Sequence, residues 1–164
     1  MPETRRAYAR TVQLDIRLDD LSGSATRDLV TAHVAGMLAT TPAESCHALD
    51  ADSLVGKGAL LWSAWADGEL AGIGALSPWG DDAGELKSMR VTEAFLGRGV
   101  GRAILRHIMG EARARGIRSL WLETGSGDDF AAARGLYASE GFAECAPFGT
   151  YTADPLSTFM TRAL

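Results

Sequence analysis

The stretch of this chain best suited to chemistry is Leu96-Gly97-Arg98-Gly99-Val100-Gly101-Arg102. It follows Leu86-Lys87-Ser88-Met89-Arg90-Val91 after a short link, so a strand runs into a glycine-rich turn that opens a helix. Glycine has no Cβ, so its backbone can approach a ligand closely and adopt positive φ. The first amides of a helix have no intrahelical acceptor and point outward. Together these features make a cradle for phosphate. A helix end contributes only ~0.3–1 kcal/mol per charge, so several amides, with Arg98 and Arg102, would have to share the task. Charge is placed accordingly. Residues 85–118 hold eight of the sixteen Lys and Arg residues but three of the twenty-one Asp and Glu residues. A polyanionic small ligand suits that excess; a solvated basic helix face and a tight turn without a ligand are the plain alternatives. A P-loop would need Gly-Lys followed by Ser or Thr, which is absent. A dinucleotide fingerprint needs Gly-x-Gly-x-x-Gly, and its third position is Arg102 or Ile104 here.

The elements that must position this turn are legible in outline. Val12–Leu18 alternates as a strand, and Ser24–Leu38 places Leu29, Val30, His33, Val34, Met37 and Leu38 at helical spacing. Thr40–Lys57 is mixed, with a short helix expected near Glu44–Leu49. Ala59–Ala66 and Leu70–Leu76 flank Asp67-Gly68, a strong hairpin signal. Pro78, Gly80 and Gly84 read as a loop. Glu85–Val91 is a strand and Gly99–Arg115 a helix, with Val100, Ile104, Ile108 and Ala112 on one stripe and Gly116 placed to end it. Ser119–Glu123, Phe142–Cys145 and Ser157–Thr161 are strands, and Asp128–Ser139 is a helix. Early hairpins followed by a β–α–β–α unit imply an α/β fold, with a mixed sheet and helices on both faces.

The turn resembles the pyrophosphate-binding motif Arg/Gln-x-x-Gly-x-Gly/Ala of the GNAT superfamily of acyl-CoA-dependent N-acyltransferases. A second motif of that family follows at the expected distance, Ala133-Arg134-Gly135-Leu136-Tyr137-Ala138-Ser139-Glu140-Gly141-Phe142. The element order agrees across nearly the whole chain. The stretch Glu123–Phe130 and the tail Pro147-Phe148-Gly149-x-Tyr151 resemble a bacterial, YsnE-like branch. The resemblance implies one domain over residues 1–164 and a mostly antiparallel sheet splayed between its fourth and fifth strands. It also implies acetyl-CoA as co-substrate and direct transfer to the amine of a small-molecule or amino-acid-like acceptor.

Roles carry over by position. Met89, Arg90, Val91, Gly97, Arg98, Gly99, Val100, Gly101, Arg102, Phe130 and Arg134 are the expected acetyl-CoA contacts. Backbone groups of Met89 and Val91 should pair with the pantetheine arm, and the Met89 N–H should polarise the thioester carbonyl. The family's Arg or Gln is Leu96 here, which leaves the phosphate grip to backbone amides. Phe130 stands where an Asn is frequent. Tyr137 matches the tyrosine that protonates the CoA sulfur. A free alkyl amine has a pKa near ~10.4, so a base or a desolvating pocket must remove its proton. Glu85, six residues before Val91, is the first candidate base, and Glu123 its rival. His47 and Asp50 fall where such folds build the acceptor wall, with a satisfied structural pair as the plain alternative. Tyr151, Asp154 and Ser157 either line the pocket from the C-terminal loop or are ordinary turn residues. Trp62, Trp65, Trp79 and Trp121 read as core or pocket wall.

Composition bounds the rest. The chain has 164 residues, 46% hydrophobic and 23% charged, with a net charge of −5. That acidity argues against nucleic acid or an anionic membrane as partner. No apolar run approaches the ~20 residues that span a bilayer. The start MPETRRAYAR has no apolar core, so it does not read as a signal peptide. Two cysteines, Cys46 and Cys145, read as free thiols in a reducing cytoplasm. Three scattered histidines do not make a metal site. A homodimer is compatible with the family. A serine hydrolase is excluded for want of a Gly-x-Ser-x-Gly elbow. The remaining alternative is an acyl-CoA-binding sensor on the same fold, without turnover.

Overall fold

The computed structural model describes residues 12–164, so the charged start MPETRRAYAR lies outside the described residues. The elements are β1 (Asp15–Asp19), α1 (Ser24–Thr40), α2 (Ala51–Gly56), β2 (Leu60–Ala66), β3 (Glu69–Trp79), β4 (Ala83–Val91), α3 (Val100–Ala114), β5 (Ser119–Gly125), α4 (Ala131–Ser139), β6 (Ala143–Cys145) and β7 (Ser157–Ala163). Asp67 and Gly68 adopt φ of 49° and 81°, the left-handed pair that a two-residue hairpin requires, and join β2 to β3. Gly116, at φ 80°, ends α3 with Gly116 N–H on Arg113 O and Ile117 N–H on Ala112 O. No helix among the described residues is long and apolar enough to cross a membrane.

The strands form one sheet in the order β1-β2-β3-β4-β5-β7-β6. Alternation along β2 and β3 sends side chains to both faces, and each face is covered. Leu61, Ile73 and Ala75 pack with Val30 of α1 and Leu54 of α2. On the other face Trp62, Leu86 and Leu122 pack with Ile104 and Ile108 of α3 and Tyr137 of α4. Every neighbouring pair is antiparallel except β4 and β5. That parallel pair holds over Ala83↔Ser119, Gly84↔Leu120 and Glu85↔Trp121 only. Beyond Trp121 the strands part, so the facing edges of Leu86–Val91 and Leu122–Gly125 carry unpaired backbone groups. This is the splay expected between the fourth and fifth strands.

Several local expectations are corrected. Pro78 and Gly84 are not loop residues: they pair with each other inside the β3–β4 ladder, and the turn is Gly80–Asp82. Pairing of β2 ends at Leu60↔Leu76, so Pro78 lies on a stretch of β3 that is an edge on that side, where proline is tolerated. A Cβ on Gly84 would lie 2.6 Å from Leu76 Cδ1, so this glycine is set by close packing rather than by a turn. In place of a helix over Glu44–Leu49 there is one 3-10 turn at Ala43–Ser45, an extended run, and then α2. Asp50 caps α2 by accepting the Ser53 N–H at 2.7 Å, which fixes the later start. The helix expected from Asp128 begins as a 3-10 turn and becomes regular at Ala131.

Candidate active site

The glycine turn opens a groove of about 660 Å³ between Met89–Val91, the start of α3 and the inner side of α4. Gly97 and Gly99 have φ of 70° and 81°, and a Cβ on either would meet open space. Glycine is therefore required at both by conformation. Gly101 is different: a Cβ there would stand 3.4 Å from Leu136 Cδ2 and 3.6 Å from Val91 Cγ2, where α3 and α4 close on the groove. The Ala103 N–H is the first of α3 to reach back, to Gly99 O at 3.0 Å, so the amides of Val100–Arg102 remain free at the groove.

The arginines near the cradle have other partners. Arg102 and Arg106 both engage the Glu140 carboxylate, and their hydrogen bonds hold it below the usual carboxylate range. The Arg98 guanidinium lies 5.1 Å from the Phe95 ring centroid. Arg134 donates to Gly125 O at 2.7 Å and Gly127 O at 2.9 Å, clamping the loop after β5. Arg90 lines the groove but packs on α1, where a Cβ on Gly36 would meet its guanidinium at 3.4 Å. Leu96 is 62% exposed and offers no charge. The groove thus offers an anion mainly backbone amides.

At its inner end the groove meets a throat of about 110 Å³ in the parting of β4 and β5; Met89, Ala133 and Tyr137 line both. Two residues of β4, Ser88 and Met89, oppose the single Gly74 of β3, since Lys87 pairs Ala75 and Arg90 pairs Ile73. Gly74 makes this bulge possible: a Cβ there would clash with Met89 Sδ at 2.7 Å. Ser88 takes φ 54°, a left-handed conformation unusual for serine. Its Oγ is buried without a partner, as is His33 Nδ1 of α1, and both residues line the throat. Burial, then the Arg90 charge, depresses the His33 pKa to about 4. Burial raises the Tyr137 hydroxyl well above the ordinary tyrosine value. Phe130 also lines the throat, its ring filling the space that any side chain on Gly125 would take.

A narrow passage lined by His33, Ser88, Glu123, Glu85 and Tyr151 leads on to an outer pocket of about 430 Å³. Here residues far apart in sequence meet. The Tyr151 hydroxyl donates to Glu85 Oε1, and Lys87 Nζ lies 3.1 Å from both that oxygen and the tyrosine hydroxyl. Burial, then the Glu85 hydrogen bond, pushes the Tyr151 hydroxyl up. Glu123 faces the passage from β5; burial raises its carboxyl, against the opposing pull of Ser157, His47 and Lys87. His47 packs edge-on to Tyr151 at 5.0 Å and lines the pocket, whereas Asp50 is occupied as a helix cap. Asp154 accepts from Ser45 Oγ at 2.5 Å, tying the C-terminal loop to the segment before α2.

The structure thus gathers Glu85, Glu123, His47 and Tyr151 at one end and Tyr137, Met89 and the glycine turn at the other. Sequence reasoning missed His33, Ser88 and Lys87. A histidine on the buried stripe of α1 was the available signal for the first. Nothing local marks Ser88, because its role depends on a bulge created by Gly74 on another strand.

A mixed sheet parted between two parallel strands, with a glycine-led helix N-terminus and a buried tyrosine at the parting, defines an acyl-CoA-dependent acyltransferase fold. A family model described as the acetyltransferase (GNAT) family matches residues 28–142, and the chain belongs to that family and is an N-acetyltransferase. The uncharacterized N-acetyltransferase YedL of Escherichia coli (strain K12) is 46% identical over 149 residues, 91% of this chain and 94% of that protein. The uncharacterized N-acetyltransferase YsnE of Bacillus subtilis (strain 168) is 46% identical over 151 residues, 92% of this chain and 100% of that protein. A GNAT family acetyltransferase from Elizabethkingia anophelis, solved with acetyl-CoA bound, shares the fold with a TM-score of 0.68 at 20% identity, covering 92% of this chain and 98% of that one.

Proposed function

We propose that this chain transfers the acetyl group of acetyl-CoA directly to the neutral amine of a small-molecule or amino-acid-like acceptor. The observation that carries the reading is the line of connected spaces: cofactor groove, throat and outer pocket share lining residues in sequence, with Tyr137 at the first junction and Glu123 beyond it. The free amides of Val100–Arg102 receive the pyrophosphate. The unpaired edge of β4 at Met89 and Val91 bonds the pantetheine arm, and the Met89 N–H polarises the thioester carbonyl.

The amine enters from the outer pocket and its nitrogen attacks that carbonyl. The C–N bond forms, the C–S bond breaks, and the sulfur takes a proton from Tyr137. Burial makes Tyr137 a weaker acid, but a thiolate released into the same dry throat is made more basic by the same cause. Ser88 Oγ and His33 Nδ1 have no protein hydrogen-bond partner, and both can accept the N–H groups of the incoming amine, His33 as its Nε2–H tautomer. We assign the base to Glu123 rather than Glu85. Glu85 already accepts from Tyr151 and Lys87, while Glu123 is half-buried and its affinity for a proton is raised by that desolvation. The test is an acetyl-CoA assay on a broad amine library with mass-spectrometric product detection. Acetyl-CoA binding without an acetylated product from any amine would overturn the reading and favour a sensor.

A further inference from the structure

We propose that the acceptor joins its primary amine, through a flat apolar body, to a carboxylate or similar anion at the far end, and that polycationic amines are rejected; the proposal rests on the acetyl-transfer reading above. The outer pocket has a prebuilt aromatic wall. Trp79 stands edge-to-face with Trp121 at 5.3 Å and tilted on Phe148 at 5.5 Å, and Phe148 contacts Tyr151 at 5.1 Å. These rings hold one another in place, yet Trp79 keeps 38% of its surface exposed. A rigid wall of this kind takes a flat apolar group at little ordering cost.

Charge decides what the flat group can carry. The titratable side chains on the outer pocket, apart from its tyrosine and cysteine, are His47, Lys57, Glu85 and Lys87. Glu85 is the one acid among them, and it is consumed by Tyr151 and Lys87. Lys57 has no carboxylate within ion-pairing distance among the described residues. Aromatic faces attract cations as well. A second ammonium at the far end of the acceptor would nevertheless meet Lys57 with no free acid on the outer pocket to receive it, and such a mismatch is how a site rejects a competitor. Lys57 lines the outer pocket but not the passage that leads to the throat, so the anion it attracts lies at the end remote from the reacting amine.

A matched series separates these features. 4-(Aminomethyl)benzoate, benzylamine and 1,4-bis(aminomethyl)benzene share one ring and a reacting aminomethyl group, and carry a remote anion, hydrogen or cation; the diamine's rate is halved to allow for its two equivalent amines. We expect kcat/KM to fall in that order, by about fivefold per step, the size of a partly exposed charge pair. Lys57→Glu should reverse the order. A diamine that equals or beats the carboxylate, or an order unchanged by Lys57→Glu, overturns the proposal. Calorimetry with CoA present is run in parallel. Binding of the carboxylate without acetylation sinks the transfer reading and supports the pocket assignment. Acetylation of all three at equal efficiency does the opposite.

Discussion

In the proposed mechanism Tyr137 keeps its proton until sulfur needs it, and burial holds that proton by raising the hydroxyl above its ordinary range. Tyr137→Phe should lower kcat by about 10²–10⁴ while leaving the acetyl-CoA Kd nearly unchanged, as read by stopped-flow turnover and calorimetry. Glu123 has the complementary duty in that mechanism and must be ionised to take a proton. Because burial raises its pKa, kcat/KM should climb with pH through a limb above the ordinary carboxylate range. Glu123→Gln should remove that limb and leave only the one set by the acceptor amine; a profile unchanged in Glu123→Gln would return the role to Glu85. Tyr137 and the glycine turn were legible in sequence because each belongs to a short local pattern. The triad Glu85–Lys87–Tyr151 was not, since its hydrogen bonds span 64 and 66 residues. Arg102 and Arg134 are expected ligand contacts by position, and their protein partners could not be read there: spacing reveals where a charge stands, not which carboxylate or carbonyl it also engages.

Among the elements, the β4 bulge and the α3 entry do the positioning. Ser88 is held at φ 54° where glycine would be relaxed, and strain of this kind is commonly kept at functional sites. Ser88→Gly should therefore leave the melting temperature unchanged or higher while kcat falls, because the orphan hydroxyl is lost. A variant as active as the native protein would show that Ser88 is conformational only. Gly99→Val places a β-branched side chain at φ 81° and should cost about 1–2 kcal/mol or more by chemical denaturation, with acetyl-CoA affinity falling further. The type of each strand and long helix could be read from periodicity. Boundaries failed where tertiary packing overrode local signals, as when Gly84, a loop-former by type, served as a gap for Leu76.

For the whole molecule, His33 links stability to acidity. Its pKa is about 4 in the fold against 6.5 when unfolded, so between these values the unfolded chain binds more protons. Its contribution is complete above pH 6.5 and is lost as pH falls toward 4, by at most about 3 kcal/mol. Denaturation midpoints of the native protein should thus drop between pH 7 and 5 more than those of His33→Phe. The parting of the sheet has a mechanical consequence. The halves on either side are stitched by three ladder positions, so the pantetheine arm would act as a surrogate strand, completing the seam where the protein's own hydrogen bonds stop. Acetyl-CoA should then slow amide exchange in Met89–Val91 and Leu122–Thr124 together. The co-substrate would serve, while bound, as part of the scaffold that holds it.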